Sequence, residues 1–592
     1  IQSKLGGFSG INVDDGTRFV LIGQALNSVK DNLKIYGKYY NSSAFIKEVM
    51  SIITELKQTG INSENLSEIA QNTENINFSN KLYDLSLILS TYNALLTSKF
   101  CDPLDLIERT VNIMQDNLYF KNKTFIIDEF KGFTEVQFKL LERIIAGSDE
   151  TYVTLCCDSL IPDNETDVFK NIKKTGTRLI DIAKSHLIDV REPVLLSNNG
   201  KYAKDLETLE LLFADKISEM SDIDAKDITV CKANNVYNEI EFCMSEIRRL
   251  VREEKYRYRD FVIISRNDSY KDIIRETAEI YGVSCFTDKR VSVSRLPLSV
   301  FIISAIKSAI SLNTEDILKM LKTGLCDFDM DSILKLENYA YIWNIDGNKW
   351  LKDWNMSFKG LKSVDISEQE KEKLIIKAKE INSLREKIIK PLESLKFGLS
   401  GTAESICKSI LRFFDDCNTV ENLRKLTSNL ESSGNLLEAE HQIAGYDAII
   451  KVFDKIVLAL GDKEVKGKEF LEILSSVLTF ETVGEIPQTK DQVMYGTADR
   501  IRTFRPKIAF IIGVNQDVFP ATLNDDGLLS QFERDMIISN GFNIADRSIS
   551  DCLDEKFLFY SAATSSFDKV YLSYSESSVS GGNLEPSMEI ET

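Results

Sequence analysis

Two adjacent acids, Asp128 and Glu129, end the apolar string FIIDEF and give the sharpest chemical signal in this 592-residue sequence. A short apolar strand that ends in Asp-Glu is typical of a Walker B element, in which the aspartate holds Mg²⁺ and the glutamate polarises the attacking water. The structural alternative is that Asp128 caps the following helix. The phosphate-binding string G-x-x-x-x-G-K-[ST] does not occur in the sequence, so both interpretations stay open.

Two groups of cations have residue types that suit contacts with a nucleic-acid backbone. The string DRIRTFRPK contains Arg500, Arg502, Arg505 and Lys507 just before an apolar strand, and Arg266 ends the apolar run FVIISR. We predict DNA contact at these five residues. A third basic stretch, RRLVREEKYRYRD, is explained equally well as the solvated end of a helix.

Other chemistries find little support. The sequence has two His and ten Cys, with no C-x-x-C pair, so no zinc-ligand pattern appears and no metal site is predicted. Reduced cysteines indicate a cytoplasmic protein. No stretch approaches the ~20 apolar residues of a membrane helix. The net charge of −19 argues against general nucleic-acid binding, although it leaves room for a narrow basic channel.

The elements that would position these residues alternate between strand and helix. Apolar strands are predicted in 123–130 and 151–158, with a helix between them, and again in 228–233 and 261–266. Strand patterns return after a helical stretch of roughly 170–190 residues. We therefore predict an α/β protein with parallel sheets and five parts: 1–115, the helical part of a first lobe; 116–225, the first α/β lobe; 226–300, the start of a second lobe; 301–485, a helical insertion; and 486–592, the rest of the second lobe.

Several longer strings, taken together, resemble the AddB/RexB family, the B subunits of bacterial ATP-dependent helicase–nucleases. These are TFIIDEFKGFTEVQFKLLERII, FVIISRNDSY, FRPKIAFIIGVNQDVFPA, DDGLLSQFERDMI and DEKFLFYSAATSSFDKVYLSYSE, in the family's order and spacing. The resemblance implies two RecA-like lobes of the superfamily-one (UvrD-like) type, each with an insertion. It also implies processing of double-strand DNA ends for recombinational repair, Chi recognition, and partners in duplex ends, single strands and an A subunit.

The resemblance places Asp128 and Glu129 at helicase motif II and Arg266 at the phosphate-contacting position of motif IV. It aligns AATSSFDKVYLSYS with motif VI, where Ser565 stands in place of the arginine that stabilises the transferring phosphate. Such an arginine is worth about 10³–10⁵ in rate, so its loss argues for a degenerate motor site. Mg²⁺ and ATP are expected in the assembled hydrolase, with no cofactor in this chain and no catalysis by the chain alone.

The resemblance covers only part of a family member, so we expect this sequence to be a fragment of a longer protein. The Walker A segment is expected upstream of Ile1, and the nuclease motif and an iron–sulfur cluster are expected after Thr592. We therefore expect a DNA-binding and Chi-recognition scaffold. Two other interpretations stay open: an active P-loop ATPase whose phosphate loop lies upstream, and a structural interaction protein that does not bind DNA.

Overall fold

The computed structural model describes most of the chain. The described residues are 10–96, 99–114, 118–161, 167–196, 202–213, 225–287, 290–356, 368–484, 491–500, 506–522, 527–544 and 550–591.

Helices dominate the described residues. The α-helices are, in chain order, α1 (Asp15–Val29), α2 (Ser43–Thr59), α3 (Ser63–Asn72), α4 (Ile76–Leu96), α5 (Asp105–Ile113), α6 (Glu135–Gly147), α7 (Lys170–Ser185), α8 (Lys204–Phe213), α9 (Val236–Glu253), α10 (Lys271–Tyr281), α11 (Pro297–Ser311), α12 (Thr314–Lys322), α13 (Met330–Ile342), α14 (Glu368–Gly398), α15 (Ala403–Asp416), α16 (Thr419–Ser432), α17 (Leu436–Leu460), α18 (Gly467–Phe480), α19 (Gln531–Ser539), α20 (Ser550–Ala563) and α21 (Met588–Glu591). The strands are β1 (Ile11–Asn12), β2 (Phe100–Cys101), β3 (Thr124–Ile127), β4 (Glu150–Val153), β5 (Ile228–Ala233), β6 (Phe261–Ser265), β7 (Cys285–Thr287), β8 (Val291–Ser292), β9 (Ser400–Thr402), β10 (Glu464–Lys466), β11 (Thr482–Val483), β12 (Val493–Thr497), β13 (Ile508–Ile511) and β14 (Lys569–Ser575).

A six-stranded sheet forms the α/β part of the fold, in the order β5-β14-β13-β6-β12-β7. Every neighbouring pair in it is parallel. Its strands come from both sides of the helical stretch, so β12, from the later part, lies between β6 and β7, from the earlier part. The predicted α/β class with a parallel sheet is confirmed.

Both faces of the inner strands of this sheet are buried, as is typical of parallel sheets, whereas the edge strand β5 is partly exposed, with Val230 at 52%. Phe261 and Ile263 point to a core formed with α9 and α10, whereas Val262 and Ile264 point to a core formed with α8 and α20. All four side chains are at most 1% exposed. Because successive side chains alternate between faces, an unbroken apolar run is the sequence pattern of such a strand.

A second parallel pair, β3 and β4, is shorter and more exposed than the sequence predicted. The predicted strand ranges 123–130 and 151–158 shrink to four residues each. One face packs on α6 and α7 through Ile127 and Val153. On the opposite face Ile126 is 74% exposed and Tyr152 is 48% exposed, so the prediction of fully buried strands is wrong.

The helices at the start of the chain and the helices that follow β8 pack into one hydrophobic core. Residues from Val13 to Leu96 and residues from Val293 to Val483 belong to the same cluster. The rings of Phe19 and Phe480 lie 5.9 Å apart. The sequence pattern assigned these helices to two separate parts of the chain, and their common core is visible only in the tertiary structure.

Candidate nucleic-acid interface

The carboxyl edge of the six-stranded sheet is where a parallel sheet presents its functional loops. Arg266 directly follows β6, and Arg500 ends the turn that follows β12. These two strands are neighbours in the sheet, so both arginines lie at one edge. The Arg500 backbone N–H donates to the Thr497 carbonyl at 2.9 Å, which fixes the turn, and the Arg500 side chain is exposed.

Arg266 is held by an ion pair with Glu555 of α20. Its Nε donates to Glu555 Oε2 at 2.7 Å, and its Nη2 donates to Oε1. The hydrogen bonds to this carboxylate raise the pKa of the Arg266 guanidinium above its usual value. Glu555 Oε2 also accepts from the Ala521 N–H at 3.1 Å. Arg266 is therefore tied to the loop that follows β13 as well as to α20.

The predicted cation cluster at 500–507 does not occupy one place. Arg500 lies at the carboxyl edge, whereas Lys507 immediately precedes β13 and so lies at the amino edge. Lys507 Nζ is 3.4 Å from Asp260 Oδ2. Arg502 and Arg505 lie outside the described residues. The close spacing in sequence predicted one cluster. However, the segment between the two parallel strands β12 and β13 starts at the carboxyl edge of the sheet and ends at the amino edge, so its two ends lie apart.

Glu239 is a buried acid that hydrogen-bonds to β14 and to the start of the loop after β13, near the carboxyl edge of the sheet. No motif in the sequence indicated this residue. Glu239, in the first turn of α9, is 0% exposed. Its Oε1 accepts from the Gly513 N–H at 2.8 Å and from Ser573 Oγ at 2.6 Å, and its Oε2 accepts from the Tyr270 hydroxyl at 3.3 Å. Burial raises the pKa of Glu239, and the three donors offset part of that rise. The only sequence signal is an acid on the apolar face of an amphipathic helix.

The GVNQDVFPA loop begins at this buried carboxyl. Gly513 has φ +68, and a Cβ there would lie 2.6 Å from the Tyr270 hydroxyl. Only glycine meets both conditions. Asn515 then fixes the loop, because its Nδ2 donates to the Ser575 carbonyl at 2.8 Å and to the Glu585 carbonyl at 3.0 Å. The loop that carries much of the family resemblance is thus anchored through buried polar contacts.

The Asp128–Glu129 pair lies at the carboxyl end of β3, and both side chains are exposed. Thr154 Oγ1 donates to Asp128 Oδ1 at 2.5 Å, and Glu129 has φ +57. The structural alternative, in which Asp128 caps the next helix, is wrong: Thr134 is the N-cap of α6 and forms a capping box with Gln137. The carboxylates of Asp128 and Glu129 offer oxygen atoms, which are the type of ligand that Mg²⁺ prefers.

Ser565, which the resemblance aligned with the arginine of motif VI, makes local contacts. Its hydroxyl donates to the Ala562 carbonyl at 2.8 Å, which closes the end of α20. A hydroxyl used in this way has neither the reach nor the charge of an arginine side chain.

Among the described residues, no group of three or more His, Cys, Asp or Glu has an arrangement that would hold a metal ion. Among the described helices, none is both long enough and apolar enough to cross a membrane.

The fold and this edge define an α/β protein with a parallel sheet buried on both faces and arginines at its carboxyl edge. The family model described as "ADDB, N-terminal" matches residues 1–210. The chain is also similar along its whole length to curated proteins that are named as the B subunit of an ATP-dependent helicase/deoxyribonuclease. The predicted resemblance to the AddB family is confirmed.

Three of these relatives show the extent of the similarity. The protein of Caldanaerobacter subterraneus subsp. tengcongensis is 28% identical over 597 residues, which cover 99% of this chain and 51% of that protein. That of Clostridium botulinum (strain Loch Maree / Type A3) is 29% identical over 603 residues, covering 100% and 52%. That of Thermoanaerobacter sp. (strain X514) is 28% identical over 601 residues, covering 100% and 52%. The chain thus spans about half the length of the curated relatives it matches.

Proposed function

We propose that this chain is the helicase-like portion of the B subunit of a bacterial ATP-dependent helicase–exonuclease, which processes double-strand DNA ends for recombinational repair. The observation that carries the proposal is the carboxyl edge of the six-stranded sheet, where Arg266 and Arg500 follow neighbouring strands. Whole-length similarity to proteins named as helicase/deoxyribonuclease B subunits supports the same function. The partners in this proposal are DNA and an A subunit, and the compartment is the cytoplasm.

In this proposal the chain is a DNA-binding and Chi-recognition scaffold with two RecA-like lobes. The six-stranded sheet belongs to the second lobe, and the β3–β4 unit belongs to the first. DNA crosses the carboxyl edge, where Arg500 contacts a phosphate. Arg266 has a second role there, because its ion pair with Glu555 holds the Ala521 end of the GVNQDVFPA loop. A chain of net charge −19 repels DNA elsewhere on its surface, so contact is confined to this edge.

We further propose that the chain is not a motor and that the A subunit supplies ATP hydrolysis with Mg²⁺. Two features support this: the bond of Asp128 to Thr154 and the serine at position 565.

The test is fluorescence anisotropy with a duplex that is blunt at one end and carries a single-stranded tail at the other, titrated over salt. Arg500→Ala should weaken binding and lower the slope of log K against log salt by about 0.7–0.9, the loss of one phosphate contact. The matched control is Lys507→Ala, because Lys507 is an exposed lysine at the opposite edge of the same sheet. The control should bind like the parent chain.

The outcomes separate the proposals. Equal losses for Arg500→Ala and Lys507→Ala would contradict a DNA path along the carboxyl edge. Absence of binding at every salt concentration would contradict DNA contact by this chain. The triple variant Arg500→Ala, Arg502→Ala and Arg505→Ala tests the three arginines of the predicted cluster, including the two that lie outside the described ranges.

A further inference from the structure

A cleft of about 510 Å³ opens in the helical part of the molecule. It lies among α11, α12 and α13. Pro297, Val300 and Leu318 give it aliphatic walls, and Tyr341 stands at one side. A concave apolar site of this size accommodates a few side chains of a ligand.

The outer face of α13 continues the cleft as an apolar stripe. Met330, Leu334 and Tyr341 are 57%, 46% and 62% exposed, and their spacing of four and seven residues puts them on one side of the helix. Glu337 lies on the same side, and both it and Tyr341 line the cleft. At 1.5 Å per residue the stripe is about 16 Å long, or three helical turns. Single exposed apolar residues are common, whereas a stripe joined to a cleft marks an interaction site.

The rim of the cleft carries three cations, Arg295, Lys319 and Lys322, and two acids, Glu315 and Glu337. The side chains of Arg295 and Lys319 have no hydrogen-bond or ion-pair partner within the described part of the chain. Lys322 pairs with Glu337 at 2.6 Å. Glu315 lies in the first turn of α12, where the helix dipole stabilises an acid. The rim therefore has an excess of one positive charge in a chain whose net charge is −19.

We propose that this cleft and the α13 stripe form the docking site for an acidic amphipathic helix of another polypeptide. The apolar positions of such a helix, spaced i, i+4 and i+7, enter the cleft and cover the stripe. Its flanking acids meet Arg295 and Lys319. The aliphatic walls favour a protein ligand over a nucleic acid, because bases stack on aromatic faces and Tyr341 alone offers one.

A second copy of the chain fits less well, since two bodies of charge −19 repel each other. The proposal does not depend on the function proposed above. It requires neither DNA binding nor an A subunit.

The test uses the whole chain and a display library of 16-residue helices. Apolar residues are randomised at i, i+4, i+7 and i+11, and the flanking positions are Glu in one arm and Lys in the other. The selected sequences should come from the Glu arm. Their affinity should fall by about tenfold or more with Arg295→Glu and Lys319→Glu combined, and again with Tyr341→Ser. All three side chains are exposed, so the substitutions leave the core intact.

The matched control reverses two exposed cations elsewhere in the helical part, Arg412→Glu and Arg424→Glu, and should leave peptide affinity unchanged. Four results would overturn the proposal: no selected peptide, equal recovery from both library arms, binding insensitive to the rim variants, or self-association of the chain that these variants abolish. A fluorescein-labelled (dT)12 is the nucleic-acid probe. Binding of that probe that depends on Arg295 and Lys319 would assign the cleft to single-stranded DNA instead.

Discussion

Two substitutions of the buried Glu239 distinguish the stabilisation by its hydrogen bonds from the destabilisation by its buried charge. In Glu239→Gln, the amide oxygen takes the place of Oε1 and still accepts from Gly513 and Ser573, which now bond at 2.8 and 2.6 Å. The amide nitrogen then donates to the Tyr270 oxygen. Glu239→Ala removes all three contacts. We expect the glutamine variant to be nearly as stable as the parent and the alanine variant to be strongly destabilised.

The magnitudes follow from the contacts. An unsatisfied buried donor costs about 1–3 kcal/mol, so Glu239→Ala, which leaves the Gly513 N–H and the Ser573 hydroxyl without an acceptor, should cost about 2–6 kcal/mol. At about pH 4.5 and below, where the Glu239 carboxyl of the folded parent is protonated, the glutamine variant should differ from the parent by about 1 kcal/mol or less, because it keeps the two short bonds and neither side chain is charged.

The pH dependence has a definite sign. Burial raises the folded-state pKa of Glu239 above its ordinary value of 4.5, so the folded chain holds a proton that the unfolded chain has released. Stability therefore falls as pH rises from 4.5 through the folded-state pKa, by at most about 1.4 kcal/mol per pH unit. Glu239→Gln has no proton to lose. Its stability relative to the parent should increase over the same interval.

The assay must report on the sheet itself. Hydrogen–deuterium exchange mass spectrometry of peptides covering 508–511 and 569–575, in a urea series at about pH 5.5 and about pH 8, measures the local free energy of opening. The control is Glu241→Gln, an exposed position on the same helix, which should change neither value. If Glu239→Gln destabilised the sheet as much as Glu239→Ala at both pH values, the ionised carboxylate would be essential and the reasoning refuted.

Three further predictions concern the described residues elsewhere. Arg534→Ala should cost about 3–5 kcal/mol because it leaves the Glu55 carboxylate buried without its guanidinium, and Arg534→Met combined with Glu55→Leu should recover most of the loss in urea unfolding. All three tryptophans lie in 343–354, so an unfolding transition seen by tryptophan fluorescence should follow the helical part alone and be unchanged by Glu239→Ala. Of the ten cysteines only Cys552 is exposed, so one thiol should react rapidly with a thiol reagent in the native chain and none in Cys552→Ser.

Short runs of apolar residues were enough to predict the inner strands of the six-stranded sheet. FVIIS and IAFI are apolar almost without interruption, and a strand buried on both faces needs that pattern, so their parallel pairing was predictable. The TFII strand has a similar pattern but is covered on one face only: Ile127 packs on α6 and α7, whereas Ile126 on the other face is 74% exposed. Apolar composition indicates that a strand can be buried, not how many layers cover it.

Site residues were less predictable than strands. Arg266 has the residue type and strand-end position of a phosphate contact, yet the structure pairs it with Glu555, which lies 289 residues further along the chain. No motif in the sequence surrounds Glu239 or indicates its role. Its role depends on donors from Gly513 and Ser573, which reach it only because β13 and β14 lie beside α9.

The sequence by itself determined the α/β class, the buried strands of the six-stranded sheet and the resemblance to the AddB family, because these depend on local patterns of hydrophobicity and on short strings. The tertiary structure alone decided that Arg500 and Lys507 lie at opposite edges of the sheet, that the early and late helices share one core, and that a cleft lies beside α13. The physical reason is the same in each case: hydrophobic burial is not directional, so apolar patterns specify what is buried, whereas chain crossings and packing specify which surfaces meet.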